Sequence, residues 1–216
     1  MDKITSGRIK LIIILIVTII VTIMIIKMLV NPRPITEIKH NTVYICGIET
    51  DYPEKNQSRY YVELKKGNKC VLMYDDTRRK EENYDEDGDR SHPRIWIYYG
   101  VYEEKSGSYL IKIKEAAMVG FENTASVKKR IINGFGSKIY TNEKSIKCRV
   151  IYKMKRGRYV LGTQNKSEIS YNKDVPYYML YNKSDIKKLP SSPEEFRKQF
   201  KMDKKAEQER LAEQNR

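Results

Sequence analysis

The chain has 216 residues, 42 Lys and Arg against 28 Asp and Glu, and a formal charge of +14. That length leaves room for one domain with a sizeable core, and the charge favours anionic partners: membranes, wall polymers or nucleic acid. Two histidines and three cysteines, the latter at no metal-ligand spacing, argue against a Cys/His metal centre.

Residues 1–10 form a basic head with Lys3, Arg8 and Lys10. The run Leu11 to Val30 follows, without a charge before Lys27 and without Gly, Ala or Pro. At ~1.5 Å per residue it matches the ~30 Å hydrocarbon thickness of a bilayer. Its exit, Ile26-Lys27-Met28-Leu29-Val30-Asn31-Pro32, lacks the small residues of a cleavage site. The segment therefore reads as an uncleaved transmembrane signal anchor, with Lys27 reaching the interface and Pro32 and Pro34 ending the helix. The basic head predicts a cytoplasmic amino terminus and an extracytoplasmic domain at the cell membrane. The Ile, Lys, Asn and Tyr bias resembles an AT-rich bacterial composition.

Residues 31–41 read as a short extended spacer. From 42 to 190 the pattern is β-rich, with period-two alternation in 42–50, 58–66, 69–75, 94–104, 108–114, 146–155, 158–162 and 175–181. Gly67-Asn68 and Lys105-Ser106-Gly107 predict hairpin turns. Gly100 inside a long aromatic strand predicts a bulge or a barrel bend. In the second strand Tyr60, Val62 and Leu64 share the core face, and Tyr61, Glu63 and Lys65 share a wet one. A short helix is expected from Asn123 or Thr124 to a stop at Asn133-Gly134. Ser192-Pro193-Glu194-Glu195 opens a charged helix over 191–216, with Phe196 and Phe200 docking its first half. The whole predicts a small antiparallel β-barrel or sandwich of about seven or eight strands, with an N-terminal transmembrane helix, a mid-chain helix and a C-terminal helix.

Four features bear on function. The segment Asp75 to Asp89 holds eight carboxylates against three bases. It fails the EF-hand pattern, because Gly88 is misplaced and no Glu closes the loop, and it reads as a solvated excursion. The block Lys128 to Arg158 holds eleven bases against the single acid Glu143. Within it Lys128, Lys129, Arg130, Lys147, Arg149, Lys153, Lys155, Arg156 and Arg158 are the candidate anionic-binding residues, for lipid headgroups or a wall polymer, and for nucleic acid only if the domain is cytoplasmic. Tyr98, Tyr99 and Tyr102 could line a sugar or lipid site, though at strand spacing they read equally as core. His92, Cys148 and Arg156 or Arg158 follow the His, Cys, Arg order of the sortases, which this chain resembles in that order and in its amino-terminal anchor; a Cys-His acyl transferase would follow. Where sortases carry Thr-Leu-x-Thr-Cys, this chain has Lys144-Ser145-Ile146-Lys147-Cys148.

These residues predict a single-pass, non-enzymatic surface protein without a cofactor, which binds an anionic surface or a protein partner. A lipocalin-like barrel carrying an apolar ligand is the alternative. The three cysteines allow either one disulfide and a free thiol or three buried thiols.

Overall fold

A computed structural model describes residues 2–47, 51–86, 91–141, 147–162, 169 and 177–214. The chain divides into two units, Met1–Arg33 and Pro34–Arg216. The first holds one helix, α1 (Asp2–Val30). Nothing interrupts it until the prolines at 32 and 34, where it has ended. The Thr18 and Thr22 hydroxyls donate to the carbonyls of Ile14 and Thr18 at 2.9 and 2.8 Å, so neither needs a partner outside the helix. The large apolar side chains from Ile12 to Ile26 are exposed. Among the described residues no helix is long and apolar enough to cross a membrane.

The second unit is mainly β. Its strands are β1 (Thr42–Cys46), β2 (Arg59–Lys65), β3 (Lys69–Asp75), β4 (Arg94–Lys105), β5 (Ser108–Gly120), β6 (Ile131–Ile132), β7 (Gly134–Ile139), β8 (Lys147–Lys153), β9 (Tyr159–Gly162), β10 (Tyr177–Met179) and β11 (Lys201–Met202). The order β1-β2-β3-β4-β5-β8-β9-β10 is antiparallel throughout, and β7 pairs with the far half of β5. Just past β10, Tyr181 exchanges two backbone hydrogen bonds with Ile45 of β1, at 2.8 and 3.2 Å. An eight-strand sheet is thereby nearly closed into a barrel, as the hairpin pattern predicts.

Local signals explain the strand connections. Gly67 and Asn68 both take positive φ, 72° and 57°, and so do Ser106 and Gly107, at 53° and 75°. Such pairs match the twist of the strands they join. At Gly100 the β4–β5 register shifts, and a Cβ there would lie 2.3 Å from the Lys112 carbonyl oxygen. The bend needs a residue without a side chain.

Alternate residues point inward. Tyr44, Cys46, Val62, Leu64, Cys70, Leu72, Ile111, Ile113, Ile151, Leu161 and Leu180 form one buried cluster with tyrosines towards both ends. At one end Tyr60 lies 4.7 Å from Tyr74 and 5.4 Å from Tyr178, ring to ring; at the other Tyr109 lies 5.6 Å from Tyr102 and 6.3 Å from Tyr159. Cys46, Cys70 and Cys148 are buried and form no disulfide, so the disulfide alternative is not the one adopted.

A second core lies on the outer face. There Val43, Ile45, Tyr61, Met73, Ile97, Val119 and Phe121 meet Leu189, Phe196 and Phe200. The expected wet face of β2 is thus corrected: Tyr61 and Glu63 are buried beneath a strap, 182–202. Glu63 accepts the Leu189 N–H at 2.9 Å, and Lys65 reaches the Leu189 carbonyl at 3.4 Å. The strap opens α4 (Pro193–Arg197) with Ser192 as its cap, as its sequence predicts. It does not continue as a single helix, because β11 joins β6 in parallel before α5 (Lys204–Gln214).

Three further expectations change. The mid-chain helix α3 (Thr124–Lys129) ends early, because Arg130 takes φ 56° and Ile131–Ile132 enter β6. The spacer is part of the domain: Ile35 is buried, its N–H donates to Leu180 O at 2.9 Å, and its carbonyl accepts from Tyr159 N at 3.3 Å. Residues 38–41 then pass over the barrel end, where Lys39 N donates to Tyr44 Oη, His40 Nε2 meets Tyr102 Oη and Asn41 N donates to Leu64 O. The acidic segment is not simply solvated, since it contains α2 (Glu81–Glu86) and Asp75 is buried. Expected positions 48–50, 87–89, 146 and 175–176 lie outside the described residues.

Candidate functional site

The basic block does not converge into one patch. Three hairpin turns share one end of the barrel, at 65–69, 105–108 and 153–159, because Lys65 pairs with Lys69, Lys105 with Ser108 and Lys153 with Tyr159. The Lys153 N–H also donates to Ser108 Oγ at 3.1 Å, which fixes the third turn beside the second. Lys128 and Lys129 end α3 and Arg130 caps it, and this helix follows the opposite end of β5. Twelve residue steps of β5, about 40 Å of strand, separate the two groups. Lys147 and Arg149 fall between them, opposite Ile113 and Ile111, with Arg149 half-buried beside Tyr98.

The hairpin end carries seven bases in its turns, Lys66, Lys69, Lys105, Lys153, Lys155, Arg156 and Arg158, against Glu103 and Glu104, while Lys65 is paired with Glu63 at 3.6 Å. Glu103 is already bonded by Lys112 at 2.6 Å. The acidic segment cannot neutralise this end, because it begins at the far end of β3, where Asp75 and Asp76 hold Arg78 and Arg79 at 3.0 and 3.7 Å. Pro34, the first residue of the domain, bridges Tyr181, and Ile35 bonds Tyr159. The chain therefore joins the domain next to the third turn.

At that turn lies a groove of about 530 Å³, lined by Tyr152, Lys153, Met154, Lys155, Arg156, Arg158 and Met179. Two backbone bonds of 2.8 Å, Gly157 N to Met154 O and Met154 N to Arg158 O, hold its loop in shape. Gly157 at φ 73° makes the reversal. The Lys153 stem lies 3.0 Å from the position of a Cβ on Gly107, and its ammonium sits 5.9 Å from the Tyr159 ring centre. Four cations thus rim a floor of two thioethers and an aromatic ring. No carboxylate is among the described lining residues. Such a groove can take an anion that also carries hydrocarbon.

Elsewhere the expected chemistry is not assembled. His92 Nδ1 lies 3.1 Å from the Glu122 carbonyl, near the Arg94–Gly120 end of β4 and β5. Cys148 pairs with Lys112, eight residue steps back along β5, roughly 25 Å away. Its thiol is buried against Leu110 and Val150, and burial, partly offset by Lys112 and Arg149, raises its pKa. A thiolate–imidazolium pair is not formed. Among the described residues no group of three or more His, Cys, Asp or Glu could hold a metal ion. Tyr98, Tyr99 and Tyr102 do not form one site, since Tyr98 and Tyr102 pack with the interior and Tyr99 with the outer core.

Sequence reasoning missed an ionic cluster that fastens the strap. Asp185 accepts from Arg59 Nη1 at 3.1 Å, Arg78 Nη2 at 2.5 Å and Tyr61 Oη at 2.9 Å. Only the buried position of Arg59 on the outer face of β2 could have signalled it.

Comparison with known proteins finds no matching family model, no matching curated protein and no matching solved structure.

Proposed function

We propose that this chain is a single-pass, membrane-anchored, non-enzymatic surface protein whose hairpin end binds an anionic surface beside the bilayer. The observation that carries the reading is that the basic turns and the joining point at Pro34 lie at the same end of the domain. Three residues, 31–33, connect Val30 to Pro34, and fully extended they reach at most ~14 Å. Whatever angle the two units take, an anchor at 11–30 keeps that end within reach of the headgroups.

The anchor itself is supported by the continuous apolar run and by the Thr18 and Thr22 hydroxyls, which find their acceptors inside the helix as hydrocarbon demands. The basic head favours a cytoplasmic amino terminus and an extracytoplasmic domain. Nucleic acid would be a partner only for a cytoplasmic domain. A lipocalin-like carrier shares the barrel, but the inward residues here pack as one cluster with paired tyrosine rings towards both ends, which favours a filled interior.

Each base close to an anionic membrane contributes about 1 kcal/mol, so Lys153, Lys155, Arg156 and Arg158 together supply roughly 4 kcal/mol, about a thousandfold in affinity. The test uses the full chain in nanodiscs of zwitterionic lipid, mixed with sedimenting vesicles containing anionic lipid. Binding at low salt that weakens as salt rises, and weakens again when Lys155, Arg156 and Arg158 become Gln, is expected. No binding at low salt would overturn the reading.

A further inference from the structure

We infer that the groove between the β8–β9 turn and Met179 is a site for a single anionic lipid molecule. Its phosphate rests among Lys155, Arg156 and Arg158, and its first acyl carbons lie on Tyr152, Met154 and Met179. This deepens the surface-binding reading and rests on it.

Charge complementarity alone would suit any polyanion. A sugar-phosphate polymer or a nucleic acid can stack on the Tyr152 ring, but the two thioethers that complete the floor offer such a chain neither a hydrogen bond nor a stacking face, whereas acyl carbon packs on all three. The half-buried Tyr152, Met154 and Met179 remain in contact with solvent in a groove whose rim is cationic. Methionine adapts to irregular chains, and the aliphatic stems of lysine and arginine extend the same apolar surface while their heads stay in water. The loop is held by its two backbone bonds, so the cations are placed before a ligand arrives. The source of the ligand follows from position: the chain enters the domain at Pro34 beside Tyr181, two residues beyond Met179, only four residues after Val30. Bilayer lipid is the amphiphile that end would meet.

The test uses the full chain, labelled with ¹³C at its methionine methyl groups and held in neutral detergent micelles. It is titrated with dihexanoyl phosphatidylglycerol, dihexanoyl phosphatidylcholine and glycerol phosphate. Saturable shifts at Met154 and Met179 with the anionic lipid are expected, while Met73 in the outer core stays in place. Two buried methylenes are worth about tenfold, so glycerol phosphate should bind at least tenfold more weakly. Replacing both groove methionines, Met154→Gln with Met179→Gln, should lower affinity for the anionic lipid about tenfold and leave glycerol phosphate binding unchanged. The Met73 methyl signal of that variant reports whether the fold is intact. The inference is overturned if Met154 and Met179 do not shift, if phosphatidylcholine acts equally well, or if glycerol phosphate binds as tightly as the lipid. Should vesicle binding remain salt-sensitive while the methyl groups stay silent, the groove falls and the surface reading stands. Loss of vesicle binding at low salt removes the surface reading and the inference together.

Discussion

Replacing Asp185 by Ala tests how the outer core is held. The carboxylate is the shared acceptor of Arg59, Arg78 and Tyr61. Without it, the Arg59 side chain, 8% exposed, keeps only its Nη2 bond to Glu54 O at 3.0 Å, and its Nε already has no partner. Stripping one partner from a buried ion pair costs about 3 to 5 kcal/mol. Asp185 is 38% exposed, and Arg78 retains Asp75 at 3.0 Å, so part of that cost is screened and about 2 to 3 kcal/mol remains. For a chain of this size the loss corresponds to a Tm lower by roughly 5 to 10 °C. Thermal unfolding followed by Trp96 fluorescence measures it, and hydrogen exchange at Leu189 N–H, the donor to Glu63, should accelerate as the strap loosens. Pairing Asp185→Leu with Arg59→Met should recover much of the loss, because neither charge is then left alone. A loss below ~0.5 kcal/mol, with Leu189 exchange unchanged, would refute the reasoning.

Gly100→Ala should cost about 3 kcal/mol or more in urea unfolding, since its Cβ would meet the backbone oxygen of Lys112 at 2.3 Å. Gly136→Ala, with nothing within 4 Å, should change stability by no more than ~0.5 kcal/mol, and equal effects would count against the bulge argument. Ile35→Ala should cost about 2 to 5 kcal/mol if residues 34–41 belong to the barrel, whereas an independent spacer predicts no change in the unfolding midpoint. Alkaline pH should destabilise the domain: burial raises Cys70 from 9.0, and Tyr109 from 10.0, each to about 12. The unfolded chain therefore sheds those protons first, and the stability they contribute is full below about pH 9 and lost as pH rises towards 12. A urea midpoint constant from pH 7 to 11, with tyrosinate absorbance rising in the folded state, would contradict this.

What was legible in the sequence is mostly local. Gly67-Asn68, Ser106-Gly107, Gly100, Asn123 and Ser192-Pro193 announce turns, a bulge and caps because their backbone demands are met within a few residues. Period-two alternation likewise marks the inward face of β2, but on β8 it misleads, since Ile151 joins the inner cluster while Cys148 and Val150 pack with Leu110. Of the strap, the docking of Phe196 and Phe200 was legible, but its course over β2 was not, because Leu189 stands alone in a polar stretch and its partner Glu63 lies more than a hundred residues upstream. Strand β7 was hidden by two glycines and by exposure along most of its length. Ile35 and Ile38 looked like spacer residues, since two apolar positions form no periodic pattern. The basic block is contiguous in sequence but is divided in space by the length of β5, so its α3 members and its hairpin members cannot meet one ligand. The hairpin half adjoins the groove of Tyr152, Met154 and Met179, whereas Arg130 of the α3 half lines a different pocket that has Asp75 in its wall.

The hairpin end of the domain is proposed to meet anionic lipid. Spin labels at Lys155→Cys and, separately, Lys129→Cys, each on the full chain in nanodiscs, test it through collision rates with a water-soluble and a lipid-soluble relaxer; the three native thiols are buried. With anionic lipid in the disc, the label at 155 is expected to lose contact with the aqueous relaxer and to gain contact with the lipid one. The label at 129, at the other end of β5, should stay aqueous in every disc. Equal aqueous exposure at both sites with anionic lipid present, or burial at 129 in place of 155, would contradict the account.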